Sequence, residues 1–175
     1  MNEQSQNAKQ DPSSKLILIV DDDENIIEYL ITLLHKEGFR TKSAMDGKIA
    51  LKRVLEEKTD LILLDMMMPN AGGYEVLKPL QAKEETRDIP VFVVSAKVSD
   101  RSTWDMIKQE PNVKEVIPKP IRPFQFVQKV HEVLHTLSPD ERRRLEREKG
   151  RENTQKSSSA DTWEMPPGFR KKGDQ

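Results

Sequence analysis

Cysteine is absent from the 175 residues, which excludes disulfide frameworks, thiolate zinc sites and thiol nucleophiles. Nothing marks an oxidising compartment, so the cell interior is the expected setting. Long apolar runs are also missing, since no stretch approaches the roughly 20 residues of a membrane span. The opening segment "MNEQSQNAKQDPSSK" is polar and has no apolar h-region, so a secretory leader is not expected. A soluble, cytoplasmic protein without membrane partners follows. An excess of one charge is lacking too: 29 Lys and Arg stand against 30 Asp and Glu, for a formal net charge of −1. That excludes a globally basic nucleic-acid binder, although a local patch stays open. Function must therefore come from sites.

Thirty-five per cent of the residues are hydrophobic, enough for one domain of ordinary size with chain left over. Residues 1–15 read as a flexible arm. From Leu16 to Leu137, short apolar runs alternate with segments of helical period, the pattern of βα units around a parallel sheet. The expected strands are Leu16 to Val20, Arg40 to Ala44, Leu61 to Leu64, Pro90 to Ser95 and Val113 to Ile117. Between the first two, Ile26, Tyr29, Leu30, Leu33 and Leu34 form one apolar helical stripe, with Gly38 placed to end it. Phe126, Val127, Val130, Val133, Leu134 and Leu137 repeat the pattern just after Pro123, a residue suited to a first helical turn. Ser99 to Gln109 offers only Trp104, Met106 and Ile107 as apolar anchors, and Pro79 is expected to interrupt the third helix.

From Ser138 the composition changes. Residues 138–175 carry 10 Lys or Arg against 8 Asp or Glu and few apolar side chains, too few to bury a core. A short exposed helix over 139–149, with Ser138 as N-cap and Pro139 at its first position, is expected ahead of a disordered end. Within that end, Trp163, Met165 and Phe169 are apolar anchors suited to docking on a protein partner.

In an open parallel α/β sheet, ligands bind beyond the carboxyl ends of the strands. Asp21, Asp22 and Asp23 follow the first expected strand, Asp65 closes "LILLD", Ser95 closes "VFVVS", and Lys119 follows the fifth run in "IPKP". Taken singly, each has a structural reading: an N-cap for Asp23, a loop cap for Asp65, a local turn bond for Ser95, a solvated charge for Lys119. Their joint placement at successive strand ends argues for a site. Clustered carboxylates repel, and a bound cation relieves them. Oxygen ligands suit a hard ion, and magnesium takes one or two carboxylates together with waters and phosphate oxygens. Lys119 adds nothing to such a metal but suits a phosphate. Metal, lysine and hydroxyl together describe phosphoryl transfer, in which a carboxylate can itself be the nucleophile.

Read in order, "LILIVDDDEN", "TDLILLDMMMPNAGGYEVL", "IPVFVVSAK" and "VIPKPI" resemble the receiver domain of two-component response regulators, over residues 16–137. The resemblance implies a flavodoxin-like fold, a doubly wound five-stranded parallel sheet. It implies Asp65 as phosphoacceptor, Asp21, Asp22, Asp65 and the backbone carbonyl of Met67 around magnesium, Ser95 as the hydroxyl that bonds the phosphoryl group, and Lys119 as its ion partner. The Lys119–Pro120 bond should be cis, and Asp23 should begin the first helix. The implied donor is a sensor histidine kinase or phosphotransfer protein, and the implied output is contact with a downstream protein, with a homodimer as a further partner. Such a chain is not an enzyme beyond catalysing its own phosphorylation and dephosphorylation.

Three departures bear on the output. Gly72-Gly73 replaces the family's frequent Asp-Gly, which is expected to change a loop bond. Val116 stands where the family commonly has Tyr or Phe, and valine cannot perform the inward ring rotation. "KQEPNVKEV" replaces the usual small residues and glycines, remodelling the neighbouring face. A phosphorylation-independent scaffold is one rival reading. The other is a haloacid-dehalogenase-type phosphatase, from the Asp-x-Asp in "DDDEN", which leaves Asp65 and "MMMPNAGG" without a role.

Overall fold

Three of the five expected strands are apolar almost throughout and two are not, and that difference sets their places in the sheet. The computed structural model describes residues 9–69, 72–96, 105 and 107–148. In it β1 (Leu16–Val20), β3 (Leu61–Asp65) and β4 (Val91–Ser95) are buried at every position. The mixed segments β2 (Arg40–Ala44) and β5 (Val113–Pro118) are only partly buried. The order is β2-β1-β3-β4-β5 with every pairing parallel, so the apolar runs take the interior and the polar ones the edges. This is the flavodoxin-like arrangement. Strand ends differ by a single residue from those read in the sequence: β3 takes in Asp65, β4 starts at Val91 and β5 takes in Pro118.

Alternation along each strand divides the core in two. Ile17, Ile19, Leu61, Leu63, Phe92 and Val94 face one side, where α1 (Glu24–Glu37) and α4 (Pro123–Val133) lay down Leu30, Leu34, Phe126 and Val130. Leu18, Val20, Ile62, Leu64, Val91 and Val93 face the other, against Ala50 and Val54 of α2 (Gly47–Glu56) and Val76, Leu77 and Leu80 of α3 (Gly73–Ala82).

Caps fix the ends of the first two helices. Asp23 accepts from the Asn25 N–H at 2.9 Å and starts α1, and Gly38 ends it with φ 92°, a conformation that costs glycine little. Asp46 accepts from the Ile49 N–H at 2.8 Å and starts α2. The interruption expected at Pro79 does not occur. Helix α3 runs through that proline to Ala82, because Val76, Leu77 and Leu80 are buried on its inner face. Past the proline, the Leu80 carbonyl accepts from the buried Thr86 hydroxyl at 2.7 Å.

Two expectations about the chain ends are corrected. Helix α4 starts at Pro123 but stops at Val133 rather than Leu137, since His135 turns the chain at φ 49°. Thr136 then pairs with Gln10 in a parallel bridge. Residues 9–15, read in the sequence as part of a flexible arm, are thus tied down: the Gln10 N–H donates to the His135 carbonyl at 2.8 Å and the Leu137 N–H to the Gln10 carbonyl at 3.0 Å. Pro12 of the adjoining 3₁₀ turn is buried.

Of the segment Ser99 to Gln109, Trp104 and Met106 lie outside the described residues, and Ile107 is buried against the α2–α3 side. By itself, 139–148 is a helix carrying the ion pairs Arg143–Asp140 and Arg144–Glu148 at 2.6 and 3.0 Å. Trp163, Met165 and Phe169 lie outside the described residues. Among the described residues, no helix is long and apolar enough to cross a membrane.

Candidate functional site

Parallel strands end together, and their registers bring Val20, Ala44, Leu64, Val93 and Val116 to one level of the sheet. Everything chemically notable follows one to three residues later. Asp21 continues from β1, where its N–H donates to the Ala44 carbonyl at 3.2 Å. One of its carboxylate oxygens accepts from the Asp23 N–H at 3.0 Å. Asp65 is the last residue of β3, and its Oδ1 accepts from the Met67 N–H at 3.0 Å. Lys119 leaves β5 and donates from Nζ to Asp21 Oδ2 at 2.7 Å and to Asp65 Oδ2 at 2.9 Å. One ammonium thus joins two carboxylates 44 residues apart in sequence.

Asp21 is 2% exposed and Asp65 5%, while Asp22, one residue further on, is exposed. Each of the three carboxylates offers an oxygen, and these oxygens lie within 4.8 Å of one another. An all-oxygen set of this charge suits a hard divalent cation, with Asp22 facing the solvent from which the ion would come. Ser95 ends β4, 4% exposed, paired with Pro118. Its carbonyl accepts from the Lys119 N–H at 2.9 Å, so the backbone of the serine holds the lysine in place. The Lys119–Pro120 bond is cis.

Electrostatics follow from depth. Burial pushes the Asp21 carboxyl up, against the opposing pull of the Lys119 ammonium and the Asp23 N–H. Burial works to lower Lys119, but its hydrogen bonds to Asp21 and Asp65 outweigh it and hold the ammonium above the ordinary lysine range. Asp23, fully exposed, is held below the ordinary carboxylate value by the Asn25 N–H that it caps.

The structure therefore brings Asp21, Asp22, Asp65 and Lys119 into one cluster, with Ser95 joined to it through backbone. Met67 enters through its N–H, and its side chain is half exposed. Asp23 stands aside on α1. Val116 is half-buried on the α2–α3 side, in register with Val93. Its branched Cβ leaves no ring to swing.

Residues 17–131 match the family model of the response regulator receiver domain. The chain belongs to that family. Among its relatives, the phosphate regulon transcriptional regulatory protein PhoB of Escherichia coli K12 is 32% identical over 127 residues, covering 72% of this chain and 54% of that protein. The DNA-binding response regulator MtrA of Mycobacterium tuberculosis is 36% identical over 121 residues, 69% of this chain and 50% of that one. The chain spans about half the length of these curated relatives. In structure, a response regulator described as putative, from Chloroflexus aurantiacus J-10-fl, superposes with TM-score 0.63 at 26% identity, covering 69% of this chain and 97% of that one. The receiver domain of sensor histidine kinase PA1611 from Pseudomonas aeruginosa PAO1, crystallised with magnesium in its active site cleft, shares the fold, with TM-score 0.63 at 20% identity over 70% and 98% of the two chains.

For this receiver, sequence reading missed one contributor to the site. Gly73, passed over as half of a changed loop pair, lies directly against the backbone of Asp65. The available signal was two consecutive glycines in a chain with only seven.

Proposed function

We propose that this receiver is a phosphorylation-dependent switch of a two-component phosphorelay, and that Asp65 is its phosphoacceptor. The observation carrying this reading is the Lys119 ammonium, 2.7 Å from Asp21 and 2.9 Å from Asp65 on the strand-end edge where Asp22 also lies. In the reaction, a carboxylate oxygen of Asp65 attacks phosphorus and forms the acyl phosphate O–P bond. The P–N bond of a phosphohistidine on a sensor kinase or phosphotransfer protein breaks, and the imidazole leaves with the bonding pair.

Each neighbour has a task that its chemistry supports. Lys119 neutralises charge on the transferred group and pairs with it afterwards. The Ser95 hydroxyl takes a phosphoryl oxygen. The Met67 N–H holds Asp65 in orientation before the attack. Magnesium, held by Asp21, Asp22, Asp65 and the Met67 carbonyl, supplies charge neutralisation at the phosphoryl oxygens when bound. The setting is the cytoplasm, the switching unit is residues 16–137, and the output is contact with a downstream protein or a second copy. Beyond its own phosphorylation and dephosphorylation the chain catalyses nothing. Asp23 is spent on capping α1, so the Asp-x-Asp phosphatase reading finds no second free acid there.

Val116 favours one second reading, a receiver that docks without responding to phosphate. Incubation with magnesium and acetyl phosphate, followed by intact mass, separates the two. One added phosphoryl group, absent from Asp65→Asn, is the outcome expected of the switch. Magnesium binding without modification would replace it with the scaffold.

A further inference from the structure

The two glycines ahead of α3 are not equivalent. Among the described residues, a Cβ on Gly72 would meet the Met66 carbonyl oxygen alone, at an ordinary 3.5 Å. A Cβ on Gly73 would lie 2.6 Å from the Asp65 carbonyl oxygen, 2.6 Å from Met66 Sδ and 2.9 Å from Met66 Cα. Two of those three obstacles are backbone, which no rotamer change removes. The Gly73 N–H also points back at this turn, donating to the Met66 carbonyl at 3.4 Å.

Neither side of the contact can retreat cheaply. Helix α3 is fixed by Val76, Leu77 and Leu80 in the core, and β3 is buried throughout and bonded on both edges. What must give is the stretch just past β3 at Met66 and Met67, which carries the Asp65 peptide and the Met67 N–H. The carboxylate is oriented by this N–H on Oδ1 and by Lys119 on Oδ2, so a shift of the turn misaligns both. We propose that Gly73 is a positioning residue for the phosphoacceptor: its bare Cα is the surface on which the Asp65 peptide rests. This rests on the reading of Asp65 as acceptor.

Helix propensity makes the opposite forecast. Alanine is the better helix former, so a merely local role would leave Gly73→Ala as stable or more so, with the site unchanged. Misplacement of a reacting group, by contrast, slows transfer by roughly 10- to 100-fold.

The experiment compares parent, Gly72→Ala and Gly73→Ala for the rate of phosphoryl uptake from acetyl phosphate with magnesium, followed by intact mass. The Met67 amide resonance is read beside it, with the α1 amides as reference. The expected result is a loss of roughly 10- to 100-fold in Gly73→Ala with a displaced Met67 resonance and undisturbed α1, while Gly72→Ala matches the parent. Equal rates in Gly73→Ala and parent, or an equal loss in Gly72→Ala, overturn the proposal and leave the acceptor reading intact. A parent that takes up no phosphoryl group overturns both. Should Gly73→Ala fail to fold, Met66→Ala/Gly73→Ala removes the sulfur contact and keeps the two backbone ones. A slower rate than Met66→Ala alone then supports the proposal, and the same rate sinks it.

Discussion

Lys119 works at close quarters with two acids that would otherwise repel, and its removal shows what it holds. Lys119→Met leaves Asp21 and Asp65 buried and facing each other, a loss of about 3 kcal/mol for breaking such a contact. Chemical denaturation without divalent metal measures it. Added magnesium should restore part of that loss, since the cation then meets no competing ammonium. The pH dependence follows from the direction of the lysine's shift. Its folded value lies above the ordinary 10.5, so its contribution is fully present below that pH and disappears as pH rises through the folded value. Parent stability should therefore fall at alkaline pH by more than that of Lys119→Met. Asp21 shares the direction: burial raises it, so its neutral form is favoured by the fold and stability drops as pH rises from the ordinary carboxylate value through the raised folded one.

Helices show which local signals govern and which yield. Helix α1 has a start and a stop written in it, and each is testable. Asp23→Ala removes the acceptor for the Asn25 N–H and should cost about 1 kcal/mol. Gly38→Ala places a Cβ at φ 92° and should cost about 1 kcal/mol as well. Thermal melts of the two variants check both, with phosphoryl uptake unchanged for Gly38→Ala. Pro79 is the contrary case. Its ring and missing N–H argue for a break, but burial of three apolar side chains on α3 outweighs the loss of one helical hydrogen bond. Helix propensity is local and burial is not, so the sequence pattern overestimated the proline.

At the scale of the whole domain, the two ends of the sheet do different work. The carboxyl edge holds the acidic cluster, and the opposite edge closes the chain on itself through Gln10, His135, Thr136 and Leu137. His131 supports that closure from beneath, with Nδ1 2.8 Å from Thr136 Oγ1 and Nε2 3.0 Å from Glu37 Oε2, its ring against Phe39. Deleting residues 1–14 removes the two backbone hydrogen bonds that tie Gln10 to His135 and Leu137 and the burial of Pro12, and should cost about 2 kcal/mol. Phosphoryl uptake should survive, because the acidic cluster lies at the far edge. Magnesium should stabilise the fold with the logarithm of its concentration, by about 2.7 kcal/mol at a hundredfold excess over Kd, read as a rise in the melting midpoint. Asp22→Asn should abolish most of that rise at little cost in metal-free stability, since Asp22 is exposed.

Strand positions were legible because an all-apolar run admits only the interior of a parallel sheet, and a mixed one such as "RTKSA" only its edge. Asp21, Asp22, Asp65, Ser95 and Lys119 were legible as candidates because each follows a strand, and parallel strands share one carboxyl edge. What the sequence determined was therefore order, alternation and which residues reach that edge. Tertiary structure alone decided which of them touch. That Lys119 spans Asp21 and Asp65, that Gln10 pairs with Thr136, and that Gly73 abuts the Asp65 peptide are distances between segments far apart in the chain or across a turn. Such distances are set by the packing of two cores against one twisted sheet, and no local propensity encodes them.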